Sequence, residues 1–528
     1  MSPSTIEVAS SPSELPGYSV SSDLAQFPVK VMLLPNRGRS YIATRTIGPQ
    51  ELIFVAEPYG TTVCDPWLNS GVCHYCWTTT QDRTTQVRLP KADKKGGRTP
   101  DTVMVFCDNT CLQRFGPDIA EAICKVEHNV RRTWSHHGAH LWRYETTLTP
   151  KSSTNAAATD PLAGTVRTAH GSTPYSALVL QAMSIAATQE ALLKLSDQDL
   201  SNFLNCVWDA LDGLVEQQES HIKAQTASVE SSVAQQQNTR KQCQELYPKL
   251  ASHLLKGNNN ATVASRISDD DCEIARLITE VIYRRQLDPR ETSRDDLCAS
   301  TEPSAASIIQ NERVNFADYR AMQSNELVLL RQQLLLDMTE QDPVHGRDQI
   351  TKDFLEAAES HSQFMVQWRQ LLSILPTHLL GCFYLYLRLR DAYLLQFVEE
   401  AFLDSPSRSL AAPAIDNTLF RTILFGEVAN SFGIRDSSDE LLGFAVFPRA
   451  CFFNHSCRPN VEKRRRQGNK AREMEYWSTR VIEAGEECCI SYGDISKGRV
   501  ERQQRLEDMY FFQCSCVRCL EDEAIGQE

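Results

Sequence analysis

Short apolar stretches at 29–34, 40–47 and 52–59, rich in β-branched and aromatic side chains, predict strands. Pro35-Asn36-Arg37-Gly38 reads as the turn between the first two, so a small β domain begins near Val29. Farther on the pattern changes. Leu192, Leu195, Leu200, Phe203, Leu204, Val207, Leu211 and Leu214 recur at helical spacing, and helix is predicted across 176–255. Its middle, 217–242, is Gln- and Ser-rich and reads as an exposed helix or hinge. Residues 269–285 form another helical pattern, opened by Asp269, Asp270 and Asp271, which suit a helix N-terminus. After a loop at 287–303, several long helices are predicted within 325–402, the last stretch, 379–402, being strongly apolar. Beyond the turn-rich 404–417, short strands are predicted at 444–447, 461–463, 473–477 and 488–492, with Gln467-Gly468-Asn469-Lys470 as a hairpin turn.

Cysteine-bearing stretches flank the helical part. One runs from Gly71 to about His128 and is interrupted by a basic loop at 88–98; the other closes the chain. Residues 146–174 are Ser/Thr/Ala/Gly/Pro-rich and read as a disordered linker. The order is therefore β, cysteine module, large α insert, β, terminal cysteine module, an α+β organisation without internal repeats.

Composition narrows the function classes. At ~150 residues per domain, a chain of 528 residues, 41% of them hydrophobic, holds two to four domains. Lys+Arg 54 against Asp+Glu 67 leaves a net charge of −13, so the overall field is not built to wrap nucleic acid, and direct nucleic-acid binding is not expected. The uncharged stretch 371–387 contains Pro376 and His378 between Arg369 and Arg388; it reads as a buried helix, and no membrane association is expected. The Ser/Pro-rich start has neither a basic beginning nor an apolar core, so no secretory leader is expected. Eighteen cysteines in such a chain point to a reducing compartment, nucleus or cytoplasm, where clustered thiols signal metal or catalysis.

The sharpest metal signal is Cys514-x-Cys516-x-x-Cys519. Three thiolates so close suit a tetrahedral zinc and leave one ligand to be supplied from elsewhere. Cys457, in Asn454-His455-Ser456-Cys457, is the best candidate.

Four motifs together carry a family resemblance. Phe453 to Asn460 (FNHSCRPN), Ala484-Gly485-Glu486-Glu487, Ile490-Ser491-Tyr492-Gly493, and Tyr510-Phe511-Phe512-Gln513 ahead of the three cysteines resemble, in order and spacing, the SET-domain protein-lysine methyltransferases. Asn36-Arg37-Gly38-Arg39-Ser40 resembles the N-terminal cofactor loop of the SET and MYND subfamily, and Asn430-Ser431-Phe432 resembles its segment ahead of the main motif. The resemblance implies a split β-rich SET fold with an inserted small zinc module, a large all-α insert and a C-terminal post-SET zinc segment. The implied boundaries are a disordered N-terminus at 1–27, the first part of the SET domain at 28–66, a MYND-like module at 67–135, a linker at 146–175, the insert at 176–425, the SET core at 426–496, the post-SET segment at 497–520 and a tail at 521–528.

The same resemblance implies S-adenosylmethionine as cofactor and a protein lysine, in a histone or another protein, as methyl acceptor. Asn430, Asn454, His455, Tyr510 and Phe512 would line the cofactor site, with Arg37 as a positive charge and Arg39 where the subfamily often has asparagine. Tyr492 stands at the family's catalytic tyrosine, where it would also touch the cofactor. Cys73-x-x-Cys76 and Cys107-x-x-x-Cys111 would close one MYND-like zinc site. The second cysteine pair of such modules is missing, so that site is expected to be lost although Cys124-x-x-x-His128 resembles its remaining half. About two zinc ions per chain, and a monomer, are expected. His136, His137 and His140 read as surface histidines, and the other cysteines as core residues.

Two further readings complete the expectations. Arg458, Lys463, Arg464, Arg465, Arg466, Lys470 and Arg472 face only one acid, Glu462, within 458–472; a solvated hairpin tip is preferred there over a chromatin-steering patch or nuclear address. The alternative to an enzyme is a catalytically weak adaptor that keeps the fold for protein binding.

Overall fold

The computed structural model describes residues 27–35, 37–68, 71–79, 85–88, 103–133, 165–168, 171–233, 269–288, 314–339, 363–402, 415–466 and 470–526. Helices and small sheets make an α+β molecule. The β-rich part is assembled from both ends of the chain. Val29–Leu34 pairs antiparallel with Gly38–Ala43. Leu52–Ala56 pairs with Met474–Ser478, which also pairs with Val461–Arg465. Gly60–Val63 pairs with Leu441–Val446, whose other edge takes Ser431–Arg435. The predicted 52–59 strand is therefore two strands in two sheets, broken where Pro58 removes a ladder donor. A stack of aromatic rings seals the split: Phe54 lies 5.4 Å from Phe453, and Phe453 lies 4.7 Å from Tyr476, all nearly buried.

Close approach of the two halves depends on Gly443. A Cβ there would meet the Thr62 carbonyl oxygen at 2.1 Å, a backbone atom that cannot swing aside. Gly443→Ala is expected to lower stability by about 1–3 kcal/mol through overpacking, read as a drop in thermal midpoint; an unchanged midpoint would show that the two paired strands can shift apart freely.

Over the described residues helical spacing was a sound guide to the insert, residues 234–255 of the predicted helical stretch lying outside them. Tyr175–Ile185, Gln189–Leu193, Asp197–Val233, Asp269–Gln286, Phe316–Arg320, Glu326–Thr339, Gln363–Ile374, Thr377–Phe402 and Asn417–Asn430 are helices. Leu200, Phe203, Leu204, Val207 and Leu211 are buried as the periodicity requires, around Trp208, whose ring stands edge-on to Phe383 at 4.4 Å. The apolar stretch is largely buried over 379–397, and among the described residues no helix is long and apolar enough to cross a membrane.

Three expectations need correction. Within the predicted disordered linker, Thr165–Thr168 and Gly171–Pro174 pair as an antiparallel hairpin, since β-branched Thr165, Val166, Thr168 and Thr173 favour strand. The tail expected from 521 is the continuation of the Val517–Gly526 helix. The basic stretch is not a solvated tip throughout: Arg472 is buried, bonds Glu280 at 2.8 Å and lies over the Phe115 ring. Arg466 pairs with Glu473 and Glu475, and Arg458 with Glu521, so partners outside the stretch neutralise much of the local charge. Of its predicted turn, 467–470, residues 467–469 lie outside the described residues, as do 1–26, the 88–98 loop beyond Arg88, and His136, His137 and His140.

The cysteine module docks on the insert through buried charge. Arg276 on the Asp269–Gln286 helix bonds Glu127 at 3.0 Å and also Asp65, while Glu280 on the same helix bonds Arg472 and Thr61. Module, insert and both halves of the β part thus share one helix as their common support.

Candidate active site

A cleft of about 1140 Å³, open to solvent, lies where the first β hairpin, the insert and the C-terminal segment meet. Its lining includes Arg37, Arg39, Asn430, Asn454, His455, Tyr492, Tyr510 and Phe512, so residues separated by most of the chain share one concavity. Asn454–His455 runs parallel to Cys489–Ile490 as a two-residue ladder, which brings the NHSC and ISYG segments side by side. Asn454 Nδ2 donates to Arg37 O at 3.1 Å and to Glu487 Oε1 at 3.0 Å. The same Glu487 carboxylate accepts from Arg37 Nε at 3.0 Å and from Ser40 Oγ at 2.6 Å, pinning the N-terminal loop to the cleft floor. Its charge offsets the burial of Arg37 and holds that guanidinium above its usual range.

Tyr492 is held from several sides. Its N–H donates to His455 Nδ1 at 3.0 Å, its hydroxyl donates to Phe453 O at 2.9 Å, and its carbonyl accepts from Tyr510 Oη at 3.3 Å. Burial pushes its phenol well above the usual range, so it stays protonated. Burial, with Arg37 and Arg502 nearby, lowers His455 to about 4. The neutral ring accepts at Nδ1, so its proton sits on Nε2, which lies 3.3 Å from Cys457 Sγ. Phe511 ends the Arg499–Tyr510 helix in a left-handed turn, φ 62°, and Phe512 to Ser515 then run along the cleft.

Arg39 donates to Ala321 O and lies over the Phe452 ring. Asn430 Nδ2 donates to Gln323 O at 2.9 Å and Gly426 O at 2.8 Å. These contacts bring the insert into the wall: Gln323, Asn325 and Val328 also line the cleft.

Among the described residues, two groups of four cysteines could hold a metal ion: Cys73, Cys76, Cys107 and Cys111, and Cys457, Cys514, Cys516 and Cys519, the sulfurs of each lying within 4.8 Å of one another. Four sulfurs around a zinc at ~2.3 Å stand about 3.8 Å apart. Cys76 and Cys107 are 3.4 Å apart, Cys76 and Cys111 4.0 Å, and Cys457 and Cys519 3.5 Å, so the donor sets fit that ion. Cys124 is in neither group; it is fully buried with its sulfur toward Val87 O at 3.9 Å. His128 is likewise outside both groups. Cys64, Cys206, Cys272, Cys382, Cys488 and Cys489 are buried thiols, while Cys243 and Cys298 lie outside the described residues.

Residues 278–493 match the family model of the SET domain. The chain carries a SET domain. It is similar to the "Potential protein lysine methyltransferase SET6" of Saccharomyces cerevisiae, 40% identical over 107 residues, which is 19% of this chain and 28% of that protein. It is also similar to the N-lysine methyltransferase SMYD2 of Homo sapiens, 37% identical over 114 residues, or 21% of this chain and 25% of that one. The SMYD2 of Gallus gallus gives 40% over 98 residues, 18% and 22% of the two chains. The chain spans about a quarter of the length of these curated relatives. The SET-domain match starts within the Asp269–Gln286 helix, yet strands at 52–63 complete the sheets of its C-terminal portion. The cysteine groups fit a MYND-like zinc module and a C-terminal zinc site.

Sequence reasoning missed several cleft residues of this SET domain. Gln323 and Asn325 sit in a polar turn between two helices, where no motif marks them. Cys451 and Phe452 also line the cleft; Cys451 carried no ligand spacing and read as core. Glu487 was legible as part of a motif but not as the acceptor joining three donors, since those come from Arg37, Ser40 and Asn454.

Proposed function

We propose that the chain is an S-adenosylmethionine-dependent protein-lysine N-methyltransferase. The observation that carries this reading is the convergence of Arg37, Asn454, His455, Tyr492, Tyr510 and Phe512 on one cleft beside the C-terminal cysteine group. A sulfonium nucleoside needs an aromatic face for its base, a cation for its carboxylate and polar edges for its ammonium. Phe512 offers the face, Arg37 the cation, and Asn454 a polar edge, with the His455 ring behind it engaged by Tyr492 N–H and the Cys457 sulfur. When bound, the cofactor supplies an electrophilic methyl group on a positively charged sulfur.

The remaining work falls to the chain. The acceptor amine must be neutral to attack, and partial burial removes its water and favours the uncharged form. Tyr492 and Tyr510, packed against each other with ring centroids 4.8 Å apart, offer it one aromatic wall. The protonated Tyr492 hydroxyl orients the amine rather than taking its proton, because burial keeps that phenol from ionising at neutral pH. The acceptor in this reading is a lysine of a histone or another protein, and the thiol-rich sites suit the nucleus or cytoplasm. Two zinc ions per chain are expected from the two cysteine groups, checked by elemental analysis.

The test is transfer of labelled methyl groups from S-adenosylmethionine into proteins of a cell extract, with calorimetric titration of the cofactor in parallel. Absence of both labelling and cofactor binding would sink the reading. Glu487→Gln supplies a finer check. Removing the charge that holds Arg37, Ser40 and Asn454 should weaken cofactor binding about tenfold, on the scale of one charged hydrogen bond, with little change in transfer at saturating cofactor. Unchanged affinity would mean that the N-terminal loop holds its position without this carboxylate.

A further inference from the structure

Arg502, on the Arg499–Tyr510 helix, is only 4% exposed. A guanidinium is costly to bury unless its donors and charge are met, so its partners are informative. Nη1 donates to Lys497 O at 2.6 Å, and Nη2 to Asp522 Oδ2 at 2.7 Å. Nε donates to Cys457 Sγ at 3.3 Å, and Nη2 also faces Cys519 Sγ at 3.9 Å. Asp522 is partly open to water, whereas both sulfurs are buried. The two cysteines come from separate segments and belong to the same group of four.

A divalent ion with four thiolates carries a net charge of about −2, and here every ligand is buried. We infer that Arg502 is the outer-sphere cation of the C-terminal metal site: it compensates the thiolate charge and orients the Cys457 and Cys519 sulfurs. This rests on reading that group as a metal site. Arg502 is also a positioning residue for the cleft. Its helix delivers Tyr510, and the Cys457 sulfur it bonds is the one that His455 Nε2 faces while His455 Nδ1 accepts from Tyr492 N. Arg502, His455, Tyr492 and Tyr510 border a common small hollow.

The test uses the full, zinc-loaded chain. Zinc release to a chromophoric chelator, and the thiolate-to-metal charge-transfer band after Co²⁺ substitution, are compared among wild type, Arg502→Gln, Arg502→Lys and Asp522→Asn. Outer-shell partners change metal affinity by about 10–100-fold, so Arg502→Gln should weaken the C-terminal site at least about tenfold, with Asp522→Asn within about twofold of wild type. Arg502→Lys, which keeps the charge but loses the fork, should fall between them, and the charge-transfer band should shift in the Gln variant. Release from the Cys73, Cys76, Cys107 and Cys111 group should not change and serves as the internal control. Equal losses in Arg502→Gln and Asp522→Asn would reduce Arg502 to an ion-pair partner of Asp522 and overturn the inference, as would wild-type release from Arg502→Gln. Should the Gln variant not fold, the Lys and Asn variants decide by the same comparison. A Cys514→Ser chain that retains all of its zinc overturns the metal reading itself, a separate outcome from failure of Arg502 alone.

Discussion

Tyr492→Phe is expected to cut methyl transfer by about 10²-fold or more while leaving cofactor affinity nearly unchanged. The aromatic ring, which lines the cleft and packs against Tyr510, survives the substitution. What is lost is a hydroxyl that now donates to Phe453 O. A preorganised hydroxyl oxygen that accepts from the amine N–H and leaves its lone pair free acts chiefly on the reacting geometry, so its removal separates rate from binding. The cost in stability should stay near 1 kcal/mol, the scale of one hydrogen bond, so a near-wild-type melting curve is part of the prediction. Single-turnover transfer and calorimetric titration on the same preparations provide the measurement. A variant that transfers methyl groups at the wild-type rate would remove Tyr492 from the catalytic role; one that loses binding and rate together would make it a cofactor contact alone.

Cys457→Ser, or exhaustive chelation, should abolish cofactor binding together with one zinc. Cys457 lies two residues beyond His455, and Cys514 both belongs to the same sulfur group and lines the cleft. The segment from Tyr510 to Ser515, one wall of the cleft, is therefore anchored at its far end by the metal ligands. Structural zinc contributes about 10–16 kcal/mol in isolated finger peptides, comparable with the whole stability of a typical domain at about 5–15 kcal/mol. Without it the wall keeps only local hydrogen bonds, such as the pair between Gln503 and the Cys514 backbone, and a fall in cofactor affinity of at least about 100-fold, ~2.7 kcal/mol, is expected. Cys111→Ser should contrast with this. Its group does not line the cleft, so zinc and some stability should be lost with cofactor affinity largely kept. Zinc content and affinity measured on the same samples decide the matter, and a zinc-depleted C-terminal site with full cofactor affinity would refute the coupling.

Periodicity located the helices well because amphipathic spacing is a local property: the buried face at 200–211 follows directly from its sequence. It failed where pairing is non-local. Leu52 to Tyr59 reads as one strand, but Pro58 and the demands of two different partner strands divide it. The linker hairpin escaped because a Ser/Thr/Gly composition resembles disorder even where β-branched residues alternate. Arg472 read as solvent-facing because Glu280, its partner, lies far away along the chain. The candidate cleft residues were legible as motifs. Their support was not: Glu487, Arg502, Gln323 and Asn325 act through partners that no spacing rule connects.

The eighteen cysteines separate the two levels of information. Sequence alone determined that Cys514, Cys516 and Cys519 are close enough to share an ion, since three ligands within six residues can hardly avoid one another, and its motifs sufficed to name Cys457 as the fourth. It also determined the α+β order and the residue types available for a sulfonium and an amine. Only the tertiary structure decided that the Cys457 sulfur faces both His455 and Arg502, that strands from the first sixty-odd residues complete sheets built after residue 430, and that the insert contributes a wall of the cleft. The reason is physical. Ligand spacing and amphipathic period are set by covalent geometry over a few residues, whereas hydrogen-bond partners and cavity walls are chosen by packing among segments hundreds of residues apart.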